Sequence, residues 1–236
     1  PPHSGLTTFS VSAYISPSVV FMTFRSLFHL PSFFSISLQH DSTLSSPSHS
    51  YNSTSPSSRT RVKVEMGTSP DGSAAFEWTG TIGAVPVNEW THLAITRTLD
   101  SVIVSHNGVP AASVPWGGRI DSSPTSSSSS SLLVGSASSG EGFDFVSSSN
   151  INFVGRLDSI SVHSSPVYSS FVDLSPLAGR VLPSKEDDLL LHLNLDEGRG
   201  TTLSTSRSTS RSTSSTNYNL DFSATLTPPP SRSPPS

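Results

Sequence analysis

The stretch NEWTHLAITRTLDSVIVSHNGVPAAS, residues 88–113, decides the fold. From Thr91 to Arg97 and again from Ser101 to His106, side chains alternate with period two, the signature of half-buried strands. Thr98-Leu99-Asp100 reads as a three-residue hairpin loop between them. Asn107-Gly108, two residues that tolerate positive φ, turns the chain into a third run. The segment is thus expected to form a three-strand meander. A three-residue loop sets Arg97 opposite Ser101, which pairs Ile95 with Ile103 and Leu93 with Ser105 on one side. The other side then holds Thr96 with Val102, Ala94 with Val104 and His92 with His106. Two facing imidazoles are candidate ligands for Zn²⁺ or Cu²⁺. Spacing identifies no third ligand, so a neutral hydrogen-bonded pair is the alternative reading.

Working outward, the same alternation recurs. LTTFSVSAYI, residues 6–15, puts Phe9, Val11 and Ala13 on one side and Ser10, Ser12 and Tyr14 on the other. FFSISL at 33–38, RVKVEM at 61–66, AAFEW at 74–78 and INFVGRLDSISVH at 151–163 read as strands as well. TIGAVPV at 81–87 continues the series, and LLVGSA at 132–137 is a short buried strand. LLLHLNL at 189–195 turns Leu189, Leu191, Leu193 and Leu195 to one face. Ser69-Pro70-Asp71-Gly72 supplies turn chemistry, with Pro presetting φ and Gly closing the turn. No stretch shows sustained helical periodicity with caps. The expected class is all-β, an antiparallel β-sandwich.

Composition limits the folded part. The 236 residues are only 33% hydrophobic and 13% charged, with Ser, Thr and Pro making up the difference. The sandwich is assigned to residues 1–175, with Ser-rich insertions at 40–60 and 122–131. Residues 176–200 form a linker plus one strand. Residues 201–236, with STSRSTSRSTSSTN and PPPSRSPPS, form a tail too poor in apolar groups to offset its ordering entropy. The net charge of −4 gives no global positive field for nucleic acid. With no cysteine, disulfides, thiolate metal sites and cysteine nucleophiles are excluded. In residues 18–36, Arg25, His29 and Pro31 interrupt the nearest approach to a membrane span, so no insertion is expected. The chain opens on Pro-Pro rather than Met, which points to a piece of a longer protein. Asn52-Ser53-Thr54 is an N-glycosylation sequon, used only if the chain is secreted.

Several motifs taken together resemble the laminin G-like members of the concanavalin A-like lectin/glucanase superfamily. Trp90-Thr91-His92-Leu93-Ala94-Ile95-Thr96 is similar to W-x-H-V-A-V-T, and His106-Asn107-Gly108 follows as the end of L-Y-V-N-G. Ser105 and His106 stand where that family has Tyr and Val. Phe9-Ser10-Val11-Ser12-Ala13-Tyr14 resembles F-T-V-S-A-W, and Leu133-Val134-Gly135 resembles the I-G strand. Phe153-Val154-Gly155-Arg156-Leu157-Asp158-Ser159-Ile160 resembles F-x-G-x-I-D-x-V. The four occur in family order over residues 6–165. Leu190 to Gly200 resembles the family's opening L-x-L-x-L-D-E-G-x-G strand. It either starts a second copy or completes the first; in this chain it is expected to dock on the first sandwich, because its Leu face needs burial.

The resemblance implies a jelly roll and a noncatalytic recognition module for a glycan or protein ligand, within a larger multidomain protein. The alternatives are an intracellular scaffold without sugar binding and a degenerate glycoside hydrolase. The E-x-D-x-E strand of glucan-cleaving relatives is absent, and Glu141 and Asp144 are spaced onto opposite faces, so no catalysis is expected. Trp116, before Gly117-Gly118, is the candidate platform for a sugar ring. Trp78 and Trp90 are expected to pack at core and edge. No cofactor is expected. Calcium is the ion the resemblance implies, with Asp158 as its candidate ligand; the alternative is that Asp158 pins neighbouring backbone. The resemblance favours an extracellular or cell-surface setting, whereas the lack of Cys fits the cytosol equally.

Overall fold

The structure is a computed structural model that describes residues 8–30, 33–40, 59–68, 74–118, 120, 132–135, 152–170 and 188–193. Asn52, the 122–131 serines, Glu141, Asp144 and residues 194–236 lie outside the described residues. Among the described residues, eleven strands form two antiparallel sheets. They are β1 (Phe9–Pro17), β2 (Arg25–Leu30), β3 (Phe34–His40), β4 (Thr60–Thr68), β5 (Ala74–Ile82), β6 (Thr91–Arg97), β7 (Ser101–His106), β8 (Val109–Pro115), β9 (Leu133–Val134), β10 (Gly155–His163) and β11 (Leu189–Leu193). One sheet has six strands in the order β11-β10-β1-β6-β7-β8, and the other has five in the order β5-β4-β3-β2-β9.

Alternation places the core. Phe9, Val11, Ala13 and Ile15 of β1 are all buried between the sheets, beside Leu93 and Ile95 of β6 and Val102 and Val104 of β7. The facing sheet supplies Phe34, Ile36 and Leu38 of β3 and Val62, Val64 and Met66 of β4. Side chains of this size stabilise by roughly 1.5–3 kcal/mol each when fully buried, so β1 and its partners anchor the sandwich. Trp78 joins from β5, where its ring lies over Gly80; a Cβ there would come within 2.0 Å of the ring. β11 pairs with β10, Leu191 opposite Val162 and Leu193 opposite Ile160, and buries Leu191 and Leu193 in the same core.

Two local features depart from the simple alternation. β2 carries Leu27 and Phe28, adjacent in sequence, into one core, because the register with β3 shifts between Ser26 and Phe28. A bulge of this kind sends consecutive side chains the same way and removes the period-two signal. In β10 the pairing with β1 shifts between Ser12 and Tyr14, and Ser159 there adopts a left-handed φ of 49°.

The meander is present, but its register differs by one residue from the expected one. Arg97 pairs with Val102, Ile95 with Val104 and Leu93 with His106. The Thr98 side chain explains the difference. Thr98 N–H donates to the Ser101 carbonyl at 2.9 Å, and Ser101 N–H donates back to Thr98 Oγ1 at 3.0 Å. The closed turn is thereby shortened to Leu99-Asp100. Slipping by one residue reverses the face of every side chain on the partner strand. His92 and His106 therefore sit on opposite faces of the sheet, not side by side.

Candidate ligand-binding face

The outer face of the six-stranded sheet collects the polar half of each alternating strand. Register builds it in rows: His192–Ser161–Ser12–Ala94–Ser105, then Asp158–Tyr14–His92. Ser16 next pairs with Arg156 on one side, and β6 begins just past Trp90 on the other. Residues 164–170 cross over part of this face. Ser10 Oγ holds them, lying 2.8 Å from both the Ser165 carbonyl and the Val167 N–H, with Thr96 Oγ1 at 3.1 Å. Ser12 Oγ lies 2.8 Å from Ser161 Oγ and donates to Tyr168 Oη at 3.0 Å, while Ser105 Oγ donates to the Tyr168 carbonyl. The expected solvent-facing serines of β1 are thus buried hydrogen-bonding groups.

Next to the crossing segment lies a row of aromatic side chains. His92 is wedged between Tyr14 and Tyr168, with ring centroids at 5.0 and 5.3 Å. Its ring is 3% exposed, and Nδ1 is buried without a hydrogen-bond partner. Burial pushes the imidazole down to about 4, with the His106 ring adding a smaller push, so His92 is neutral at pH 7. Burial, and then Tyr168 and Asp158, raise the Tyr14 phenol, which stays protonated as a donor. Trp90 is 46% exposed, with the Arg156 guanidinium 5.1 Å from its ring centroid. Arg156 in turn donates to Ser16 Oγ at 3.2 Å. An open indole bordered by a guanidinium, with a half-buried phenol one row away, can stack on one face of a sugar and hydrogen-bond its hydroxyls, while the buried His92 ring backs the Tyr14 side chain.

The other expected site residues fall elsewhere. Trp116 is half-buried: Arg97 lies over its ring at 4.4 Å, and the Phe76 ring packs at 4.9 Å. Arg97 is fixed there by backbone carbonyls of Thr98, Ser101, Leu99 and Gly118. His106 Nε2 lies 3.1 Å from the Ala84 carbonyl, over Gly83, where a Cβ would meet the ring at 2.6 Å. Burial lowers its imidazole, a push that the Ala84 hydrogen bond opposes. Asp158 Oδ1 accepts from Ser159 N–H at 2.6 Å and from Ser159 Oγ at 3.3 Å, and so fastens the left-handed Ser159 at the β10 bulge. Among the described residues no three His, Asp or Glu side chains gather as a metal would require. Trp90 was legible only as an edge residue.

No protein-family model matches the sequence, and no curated protein matches it. Solved structures do share its shape. A proposed carbohydrate-binding protein from Bacteroides ovatus ATCC 8483 superposes with a TM-score of 0.55 at 15% identity, covering 87% of this chain and 51% of that one. A native heptameric SAP-like pentraxin from Limulus polyphemus matches with a TM-score of 0.46 at 15% identity, covering 68% of this chain and 65% of that one. Domain 4 of AbnA, a GH43 extracellular arabinanase from Geobacillus stearothermophilus, matches with a TM-score of 0.43 at 20% identity, over 72% and 66% of the two chains. The chain spans about half the length of the first of these proteins. At such identities the likeness is one of fold: a jelly-roll β-sandwich of the concanavalin A-like type.

Proposed function

We propose that this chain is a noncatalytic recognition module of the laminin G-like kind, which binds a glycan on the outer face of its six-stranded sheet at Trp90. The observation that carries the reading is the 46% exposed Trp90, bordered by Arg156 and with Tyr14 one row away. An exposed aromatic is costly to leave in water and is suited to the apolar face of a sugar ring. The noncatalytic reading rests on the acids. Retaining hydrolysis uses two carboxyl groups about 5–5.5 Å apart. Asp158 is the one carboxylate on the described strands of this sheet, and its Oδ1 is taken by Ser159. That same commitment supports calcium-independent binding. In the longer polypeptide the module would present its ligand to neighbouring domains.

A glycan array probed with the wild-type chain, with and without EDTA, and with Trp90→Ala tests this reading. The expected result is a glycan class retained in EDTA and weakened about tenfold by Trp90→Ala, the upper end of an aromatic contact. An array with no binding in either condition would favour the scaffold reading instead.

A further inference from the structure

The end of the sandwich where β1 leaves and β6 and β10 enter carries, besides Trp90 and Arg156, groups that sugar recognition does not use. Seven large apolar side chains are substantially exposed among the described residues. Six of them, Val19, Val20, Met22, Trp90, Val109 and Val154, lie at this end, between 46% and 60% exposed. The connections require it: Val19–Met22 follow β1, Trp90 precedes β6, Val154 precedes β10 and Val109 leaves the Asn107-Gly108 turn. Leu99 alone is at the other end.

The β1–β2 loop is built rather than loose. Phe21 is its buried plug, against Phe153 at 5.4 Å, and its N–H donates to His40 Nδ1 at 3.0 Å. The His40 N–H donates to the Phe21 carbonyl, the Gln39 amide to the Met22 carbonyl, and Ser18 N–H to the Val154 carbonyl. With Phe21 held inward, Val19, Val20 and Met22 are held out.

Arginines surround them. Arg25, Arg61 and Arg156 place their guanidinium groups 6.0, 5.8 and 5.1 Å from the ring centroids of Phe21, Phe24 and Trp90. None of the three is in an ion pair among the described residues, where the salt bridges join Lys63 to Glu65 and Glu77. Arg59 adds a fourth cation, and among the described residues the carboxylates at this end are Glu89 and Asp158, the latter turned onto Ser159. In a chain of net charge −4, the described residues of this tip are thus cationic and apolar.

We propose that this end docks peripherally on an anionic phospholipid surface, with Val19, Val20 and Met22 entering the headgroup–acyl boundary and the arginines meeting the phosphates. Apolar side chains flanked by cations, with Trp at the margin, fit that boundary. A protein partner would need a contact of about 800 Å² per side, commonly with an apolar centre depleted of charge. Here the apolar groups crown one short loop and its neighbours, with cations set among them. The docking is on the surface, and no described helix is long and apolar enough to cross a membrane.

Co-sedimentation of the full chain with phosphatidylcholine vesicles, plain or containing phosphatidylserine, tests the proposal. The wild type is expected to sediment with the phosphatidylserine vesicles and to be released by salt. Val20→Asp with Met22→Asp should abolish sedimentation, with the circular dichroism melt unchanged because both side chains face water. Arg61→Gln should weaken it about fivefold, one basic residue's share, and plain vesicles should bind least. Failure of the wild type to sediment with anionic vesicles would overturn the proposal, as would undiminished binding by the double variant. Self-association or capture of a protein through Val20 and Met22 without vesicle binding would overturn it too. Trp90 is untouched throughout, so glycan binding can fail or succeed independently.

Discussion

Replacing His92 by Phe should remove a defined part of the protein's acid sensitivity. In the folded chain the His92 imidazole is held at about 4, chiefly by burial, against an ordinary value of 6.5. Between those values the unfolded chain takes up a proton that the folded chain refuses, so stability falls as pH drops through this window and falls no further below it. Linkage over about 2.5 units at about 1.36 kcal/mol each gives a total near 3 kcal/mol, of which about 2.5 kcal/mol is already lost at pH 4.5. Phe keeps a ring between Tyr14 and Tyr168, and no hydrogen bond is lost at Nδ1, which has no partner. Urea denaturation of both proteins at pH 7.5 and 4.5 measures the difference. The other histidines are common to both chains and cancel in the comparison, apart from the smaller His92–His106 interaction that the substitution removes. The wild type should lose about 2.5 kcal/mol more than His92→Phe over this interval. Equal losses would show that His92 is solvated in the folded chain, and the closed Tyr14–His92–Tyr168 arrangement would then be incorrect.

Three further substitutions probe the frame. Ser10→Ala removes one of two acceptors of the Val167 N–H, the Ser165 carbonyl being the other, and should cost about 0.5–1.5 kcal/mol, seen as faster amide exchange at Val167 and a lower urea midpoint. Gly80→Ala drives a methyl into the Trp78 ring; a loss of about 1–3 kcal/mol and red-shifted tryptophan emission are expected. At Gly108, with φ of 79°, alanine should cost about 1 kcal/mol by thermal melt without altering the β7–β8 pairing.

How much of this could be read from the chain depends on how local each feature is. β1, β3, β4, β6, β7, β10 and β11 were visible because one face of each is buried and the period of two survives. β2 was hidden by its bulge, which sends Leu27 and Phe28 to the same core; β9 was read at 132–137 and is paired only over Leu133–Val134. The β6–β7 register turned on a single hydroxyl, Thr98 Oγ1, closing a turn that loop length alone counts differently. The outer face was the least legible. Ser10 and Ser12 look like solvent-facing residues until segment 164–170 folds over them, a contact between residues about 155 positions apart. Choosing between Trp90 and Trp116 as the open indole required knowing that Arg97 and Phe76 cover the latter. A negative total charge likewise conceals arginines gathered at one end by strand connections.

The three tryptophans give the most direct test of where the ligand sits. Their indole N–H resonances, assigned by single Trp→Phe variants, can be followed while an array-selected glycan is titrated into the labelled chain. The Trp90 signal should move together with the backbone amides of Tyr14 and Arg156, while Trp78 and Trp116 stay in place. A shift confined to Trp116 or Trp78, with Trp90 unmoved at saturation, would contradict recognition on this face.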